Sequence, residues 1–447
     1  MKVRVWMARL GFFLALVSSA SGLGNLWRFP YVVADNGGGG FVLLYLLLVL
    51  IIGLPLLIGE LLVGRVTGKS ILASIEFYKK GKLSPHLGNL SMFVCLLVLG
   101  YFSVISSWVL FFFFKFLIAF VTGDFFDPQM AVTELTNNGW IQIALTALHI
   151  SLCIAIVGKE VEEGLEKFVG YLMPIFAVML CILVWQSMSL DSSEEALRFL
   201  FYPNFSQLKW SSLSSALGQV LFTLSIGFTT MVTFGSMLPK DTNVPQAGIG
   251  ISLIDSVTSL LAGMLIFPLL VATPFSDKGP LMLFKTVPEF FSSFSHGPFW
   301  GLTFFLLLYL GAFGASIGIL ETLVVNFKQG HYMSRIRASV ITGVISFLIS
   351  LLPALATSYL KDIKIMGMTI LVLWDSLLVN WILPVIALLM ALWIYYAIPK
   401  DKKFQEFMRK DLVKDDYMFK HWLFMLKWVV PLVTFAAFAL SLIGLFV

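Results

Sequence analysis

Val17-Ser18-Ser19-Ala20-Ser21-Gly22-Leu23-Gly24-Asn25 lies in the middle of an apolar run that covers about residues 9–32. Five of these nine residues are Ser or Gly, and one is Asn. Gly costs about 1 kcal/mol against Ala inside a helix, and Ser and Asn compete for backbone hydrogen bonds. The stretch therefore predicts a helix that loses its winding halfway along. Unpaired peptide groups are expensive in hydrocarbon, so such a break must line a polar cavity. Freed carbonyls suit a cation, and the start of the second half-helix suits an anion such as a carboxylate. Small residues also permit close helix packing. This run alone leaves both readings open.

The rest of the chain says what kind of protein carries the break. Of 447 residues, 59% are hydrophobic and 12% are charged, the latter half the usual share of about 25%. That excludes a soluble enzyme, a nucleic-acid binder and a disordered tail. The formal net charge of +5 sits in short loops between apolar runs, so no nucleic-acid partner is expected. Cys95, Cys153 and Cys181 lie inside apolar runs, which argues against a disulfide framework or a metal cluster. The first run shows no small-residue cleavage site and reads as mature protein.

Apolar runs fall at about 9–32, 41–64, 88–121, 139–157, 168–188, 211–238, 247–274, 298–327, 336–358, 367–398 and 421–446, numbered here as spans 1–11. A spanning helix needs about 20 apolar residues, so the fold class is an all-α integral membrane protein of about eleven helices. The runs are too long for a strand barrel. With the N-terminus placed in the cytoplasm, the inside segments carry 21 of the 30 Lys and Arg residues and the outside loops 6. The bias orients the chain with its N-terminus cytoplasmic and its C-terminus extracytoplasmic. The 400–417 stretch reads as an interfacial cytoplasmic segment.

Span 6 carries a second interruption, Gly218-Gln219-Val220-Leu221-Phe222-Thr223-Leu224-Ser225-Ile226-Gly227-Phe228-Thr229-Thr230. Breaks at corresponding places suggest two inverted repeats of five spans, over about 9–188 and 211–398, with one extra helix at about 421–446. No linker divides residues 1–447 into separate domains. Asp255 in span 7 is an isolated membrane carboxylate, a functional position by default. A hard cation with oxygen ligands would offset the cost of burying it.

The run Gly22-Leu23-Gly24-Asn25-Leu26-Trp27-Arg28-Phe29-Pro30-Tyr31, followed by Asn36-Gly37-Gly38-Gly39-Gly40-Phe41, resembles the signature of the neurotransmitter:sodium symporter family. Glu60 with Gly64-Arg65, Ser107-Trp108, Gly218-Gln219 with Phe222-Thr223-Leu224-Ser225, Pro239-Lys240-Asp241 and Trp374-Asp375 extend the resemblance over spans 1–10. It implies the inverted-repeat fold of the bacterial leucine transporter, in an eleven-helix bacterial member.

By that resemblance, Ala20, Asn25, Thr223 and Asp255 form a first sodium site. Tyr45, Gln219, Thr223 and Ser259 match the positions that hold chloride in chloride-dependent members. Asp255 and Ser259 share a helix face, so the carboxylate is expected to supply that negative charge. The substrate pocket would comprise Ala20, Gly24, Phe102, Phe222, Thr223, Ser225, Phe228 and Ile319. Gly22 stands where monoamine carriers place an Asp, which favours amino acids. Phe102 replaces a Tyr that usually bonds the substrate carboxylate, and Tyr101 beside it points about 100° away.

A second sodium site would use carbonyls of Ser18, Ser21 and Gly311. Its two span 8 hydroxyl positions are Gly314 and Ala315, so this site is expected to be weak or absent. Arg28 and Asp375 match an outer gate. The inner gate is altered: Trp6 is present, Val3 replaces an Arg that Arg4 or Lys2 would have to supply, and Gln329 replaces an acid. Glu60 is expected to bond the unwound backbones of spans 1 and 6, Glu321 to act similarly, and His149 to be structural.

The sequence thus reads as an inner-membrane symporter that imports an apolar or aromatic amino acid with Na+ by alternating access. No organic cofactor is implied, and the partners are a small solute and the lipid bilayer. Competing readings are a proton-coupled or non-amino-acid transporter of the same fold, and a non-transporting substrate sensor. No Ser/His, paired Asp or His–Glu zinc pattern converges on one layer, which argues against an intramembrane enzyme.

Overall fold

The computed structural model describes residues 11, 13–78, 84–273, 279–331, 333–408 and 416–443. Among these, nine continuous helices are long and apolar enough to cross a bilayer. They are Gly39–Thr67, His86–Thr122, Gly139–Val157, Glu163–Met188, Val244–Ala272, Gly297–Gly330, Arg335–Leu355, Ile370–Ala397 and Tyr417–Ile443. They correspond to spans 2–5 and 7–11. Among the described residues, spans 1 and 6 are each broken into stretches too short to cross alone. Span 3, at 37 residues, is about 55 Å long, well beyond the roughly 30 Å hydrocarbon layer.

Helix ends are set by local chemistry. Asn138, Asn243 and Ser334 cap the starts of spans 4, 7 and 9, their side chains accepting backbone N–H groups that have no partner in the first turn. Gly68, at φ 62°, ends span 2 in the left-handed conformation that glycine adopts freely. Wide π-helical turns occur at Gly24–Arg28, Val49–Gly53, Ser376–Ile382 and Met425–Val429. Each of these four ends two residues before a proline, at Pro30, Pro55, Pro384 and Pro431, whereas a fifth wide turn, Glu162–Glu166, does not. A proline ring clashes with the carbonyl four residues back and removes a donor, and a locally widened turn relieves both problems.

The packing partners come in pairs that interchange when five is added to each span number. The second half of span 6 packs on span 2, and span 7 packs on the second half of span 1. Span 4 meets span 8 and span 9 meets span 3; span 5 meets spans 7 and 8 while span 10 meets spans 2 and 3. Spans 3 and 8 lie against each other, each being the other's counterpart. This pairing is what a five-plus-five repeat requires, and it places the two broken spans between the helix pairs 2–7 and 3–8.

Short elements decorate the ends. They include Ile71–Phe77, Pro128–Asn137, Ser193–Phe201, Met282–Ser293 and Lys400–Phe407, with a hairpin of Lys364–Ile365 and Met368–Thr369. Lys400–Phe407 makes part of the expected 400–417 interfacial segment helical. Phe112, Phe116 and Phe284 each stack with Phe305.

Candidate functional site

Span 1 is helical over 13–20, bends at Ser21 and Gly22, and resumes as the wide turn Gly24–Arg28. Span 6 is helical over Ser212–Thr223, unwinds over 224–229 and resumes as Thr230–Met237. Three residues of that unwound stretch are left-handed: Ser225 at φ 55°, Gly227 at 93° and Thr229 at 63°. The two breaks are bonded to each other. Ser225 Oγ donates to the Ser19 carbonyl at 2.8 Å, and Gln219 Nε2 donates to the Gly24 carbonyl at 2.8 Å. A Cβ on Gly24 would come within 3.1 Å of the Thr223 methyl, so glycine permits this approach.

All eight residues expected around the solute line one cavity: Ala20, Gly24, Phe102, Phe222, Thr223, Ser225, Phe228 and Ile319. Ser19, Gly22, Val98 and Ala315 complete its wall. The last two escape sequence reading because they carry no polar or aromatic signal and sit on spans 3 and 8. The space free of atoms between these side chains is about 270 Å³, open solvent included. Phe102 and Phe222 face each other with ring centroids 6.2 Å apart.

Beside the cavity lies Asp255, fully buried. Asn25 Nδ2 donates to its Oδ1 at 2.7 Å, and the Tyr45 hydroxyl donates to its Oδ2 at 3.0 Å. Asn25 Nδ2 also reaches the Asp255 carbonyl at 3.1 Å and Ser259 Oγ at 2.9 Å. Tyr45 and Ser259 are 3.2 Å apart. The Thr223 hydroxyl donates to the Gln219 carbonyl at 3.0 Å and also faces the carboxylate. Among the described residues no Lys or Arg bonds Asp255, so its charge is met by neutral dipoles alone. Such a buried carboxylate, met by one amide N–H and the hydroxyls of Tyr45 and Thr223, offers a hard anionic oxygen of the kind that suits a hard cation. Asn25 Oδ1 in turn accepts the Gly22 N–H at 3.1 Å, which ties this centre to the span 1 break.

Tyr45 thus meets Asp255 directly and Ser259 only through Tyr45 and Asn25, but Gln219 does not join them. Its side chain is held at the gate, where Arg28 Nη1 donates to Gln219 Oε1 at 2.7 Å. Arg28 contacts Asp375 directly, Nε donating to Oδ1 at 3.1 Å and Nη2 to Oδ2 at 3.2 Å. It also reaches Asn380 Oδ1 at 3.3 Å. The hydroxyls of Tyr31 and Tyr101 donate to the same carboxylate at 3.1 and 3.2 Å. Arg28 is 1% exposed and Asp375 7%, so this side of the cavity is shut. Tyr31, Tyr101 and Asn380 were not assigned this part by the sequence. Tyr101 does point away from the cavity, as the helical offset from Phe102 requires.

Glu60 Oε1 accepts the Gly227 N–H at 2.8 Å, but Oε2 has no partner. Glu60 therefore holds the span 6 break and, among the described residues, not the span 1 break. Glu321 differs from Glu60: it pairs with Arg335 on span 9, and Arg335 also donates to the Val157 carbonyl at 2.9 Å. His149 Nε2 lies 2.9 Å from Ser316 Oγ, a satisfied histidine between spans 4 and 8. The inner-gate positions Lys2, Val3, Arg4 and Trp6 lie outside the described residues. Gln329 Oε1 accepts the Ser70 N–H at 3.1 Å, and Asn326 Oδ1 accepts the Leu72 N–H at 3.3 Å. The end of span 8 thus caps the short helix Ile71–Phe77, and Gln329 makes no ion pair.

The sequence profile described as the Sodium:neurotransmitter symporter family matches residues 4–122 and 121–446. An uncharacterized sodium-dependent transporter, YhdH, of Bacillus subtilis is 32% identical over 447 residues, covering 98% of each chain. The sodium-dependent neutral amino acid transporter B(0)AT2 of Bos taurus is 29% identical over 300 residues, 59% of this chain and 40% of that one. Among solved structures, that of MhsT in complex with L-phenylalanine superposes with a TM-score of 0.89 at 31% identity, covering 97% of this chain and 98% of the other.

Proposed function

The chain belongs to the sodium:neurotransmitter symporter family of sodium-dependent membrane transporters, which are not enzymes, and from that premise we propose that it imports an apolar or aromatic amino acid together with sodium. The observation that carries the reading is the closed cavity between the two breaks, with the Asp255 oxygen cluster at its side. The phenylalanine in the MhsT complex and the neutral amino acids named for B(0)AT2 support the substrate class.

In this reading the solute's amino group faces the carbonyl and hydroxyl oxygens of Ala20, Phe222, Thr223 and Ser225. Its carboxylate faces the start of the second half of span 1, where helix-end N–H groups favour an anion. Phe102, Phe222, Phe228 and Ile319 surround its side chain. Sodium rests on Asn25, Asp255, Thr223 and the Ala20 carbonyl. Coupling follows because the cation and the solute stabilise one occluded state, and each raises the other's affinity. Arg28 and Asp375 close that state from outside. The Asp255 carboxylate makes external chloride unnecessary. The whole chain acts as one transporting unit in the inner membrane, with its N-terminus cytoplasmic and span 11 outside the two repeats.

Proteoliposomes test this. An inward sodium gradient is expected to drive accumulation of labelled phenylalanine or leucine, with loss on replacing sodium by choline and on Asp255→Asn. Replacing chloride by gluconate is expected to change nothing. Equal uptake in choline would reject sodium coupling, and binding without accumulation would make the protein a sensor.

A further inference from the structure

Of the nine continuous spans, span 11 is the least covered by protein: 22% of its apolar stretch is buried, against 33% or more in the others. Two lysines of the spanning helices lie more than five residues from both helix ends, Lys115 and Lys427. A charge set that far into a span is costly and marks a functional position whose partner must be found. Lys115 has one, Glu134, at 2.6 Å. Lys427, ten positions after Tyr417 at the head of span 11, forms neither a hydrogen bond nor an ion pair among the described residues. Glu406 on the helix Lys400–Phe407 is taken by Arg65, and Asp416 before span 11 by Lys420.

The Lys427 ammonium nevertheless has a defined place. Nζ lies 5.3 Å from the centre of the Tyr395 ring and 5.0 Å from that of Trp428. Tyr395 is in the last turn of span 10, which ends at Ala397. The long side chain therefore carries its charge to the level where span 10 leaves the apolar layer. The wide turn Met425–Val429, which holds Lys427, packs on span 10 and fixes the approach. A second ammonium, that of Lys403, stands 5.3 Å from the same Tyr395 ring. Lys403 donates to the Ile394 carbonyl at 3.0 Å and the Tyr395 carbonyl at 2.6 Å, so the open carbonyls at the end of span 10 hold it there. Two cations thus share one ring at the lipid boundary, and the three N–H donors of Lys427 are unused.

We propose that Lys427, with Lys403, Tyr395 and Trp428, holds the phosphate of an anionic phospholipid from the leaflet that meets Lys400–Phe407. Lys427 supplies the hydrogen bonds, and Lys403 adds charge from behind the ring. A zwitterionic headgroup brings an ammonium of its own, which two lysines repel, whereas a net-negative headgroup completes the cluster. Trp428 and Tyr396, 58% and 62% exposed, are amphipathic rings of the kind that settle at headgroup level. The acyl chains lie along the bare face of span 11, where Leu432 and Phe435 are exposed.

Native mass spectrometry of the full chain in detergent, titrated separately with dioleoylphosphatidylglycerol and dioleoylphosphatidylcholine, tests this. The wild type is expected to hold one phosphatidylglycerol more tightly than phosphatidylcholine. Lys427→Gln is expected to weaken phosphatidylglycerol by about fivefold, and Lys427→Arg to keep it. Lys420→Gln removes a paired charge from the same helix and is expected to bind like the wild type. Unchanged binding by Lys427→Gln, or equal affinity of the wild type for the two lipids, overturns the proposal. Displacement of the lipid by millimolar inorganic phosphate makes a soluble anion the occupant and also overturns it. Phosphatidylglycerol with a diazirine beside its headgroup reads the site in the unaltered protein, whatever the folding of the variants. Label is expected within 424–428 or at Tyr396, and label confined to other spans overturns the assignment.

Discussion

Tyr101 and Phe102 are adjacent in sequence but serve opposite ends of the site. Tyr101 donates to Asp375 at the face that Arg28 closes, and Phe102 lines the cavity. A hydrogen bond to a charged acceptor is worth about 1.5–3 kcal/mol. Tyr101→Phe is therefore expected to speed release of bound amino acid to the outside by roughly tenfold, with little change in melting temperature; stopped-flow dissociation measures it. Phe102→Tyr places a hydroxyl in the cavity and is expected to tighten amino acids selectively against the matching amines that lack a carboxylate. Isothermal titration of phenylalanine and phenethylamine reads the difference, and equal gains for both would contradict it. The sequence separates the two side chains because neighbours on a helix diverge by about 100°. It could not supply the partner of Tyr101, which lies 274 positions away. A separation of 191 positions likewise hid the placement of Gln219 with Arg28, since a motif names a residue but not the direction of its amide.

At the scale of elements, hydropathy made the unbroken spans legible because each must keep a long apolar stretch across the bilayer. The span 1 break was legible because glycine and serine are crowded there. In span 6 the two non-glycine residues with positive φ, Ser225 and Thr229, carry no local mark, so the exact unwound stretch was not. The short helices Pro128–Asn137, Ser193–Phe201 and Met282–Ser293 form against the spans, and their helical pattern was lost among polar loop residues. The wide turns had a readable sign in the proline two residues beyond each of four. Helix contact also depends on glycine: a Cβ on Gly64 would fall 2.0 Å from the Val232 carbonyl, and one on Gly235 2.3 Å from the Leu61 carbonyl. Gly64→Ala and Gly235→Ala are expected to destabilise the protein by about 1–3 kcal/mol, read as a lower melting temperature. Gly170, inside span 5 with nothing within 4 Å, is the control, and Gly170→Ala is expected to be neutral or stabilising.

At the scale of the whole molecule, the paired packing of spans and the uneven loop charge describe one oriented object. Cys95 and Cys153 are buried and Cys181 is exposed, so Cys181→Ser gives a background with little thiol reactivity. In it, Lys361→Cys is expected to react with a membrane-impermeant maleimide on intact cells. Lys328→Cys is expected to react only after permeabilisation. The reverse pattern would invert the topology. The charge bias that predicts this was legible without coordinates, whereas the symmetry of contacts was not, because weak self-similarity does not reveal which helices touch. Gln219 shows what that symmetry makes possible. Its carboxamide oxygen takes a guanidinium hydrogen from the lid while its nitrogen clasps a peptide oxygen in the floor beneath. One side chain of span 6 thus fastens both ends of the five-residue turn Gly24–Arg28, so Arg28 cannot swing off Gln219 without loosening a bond that also braces that turn.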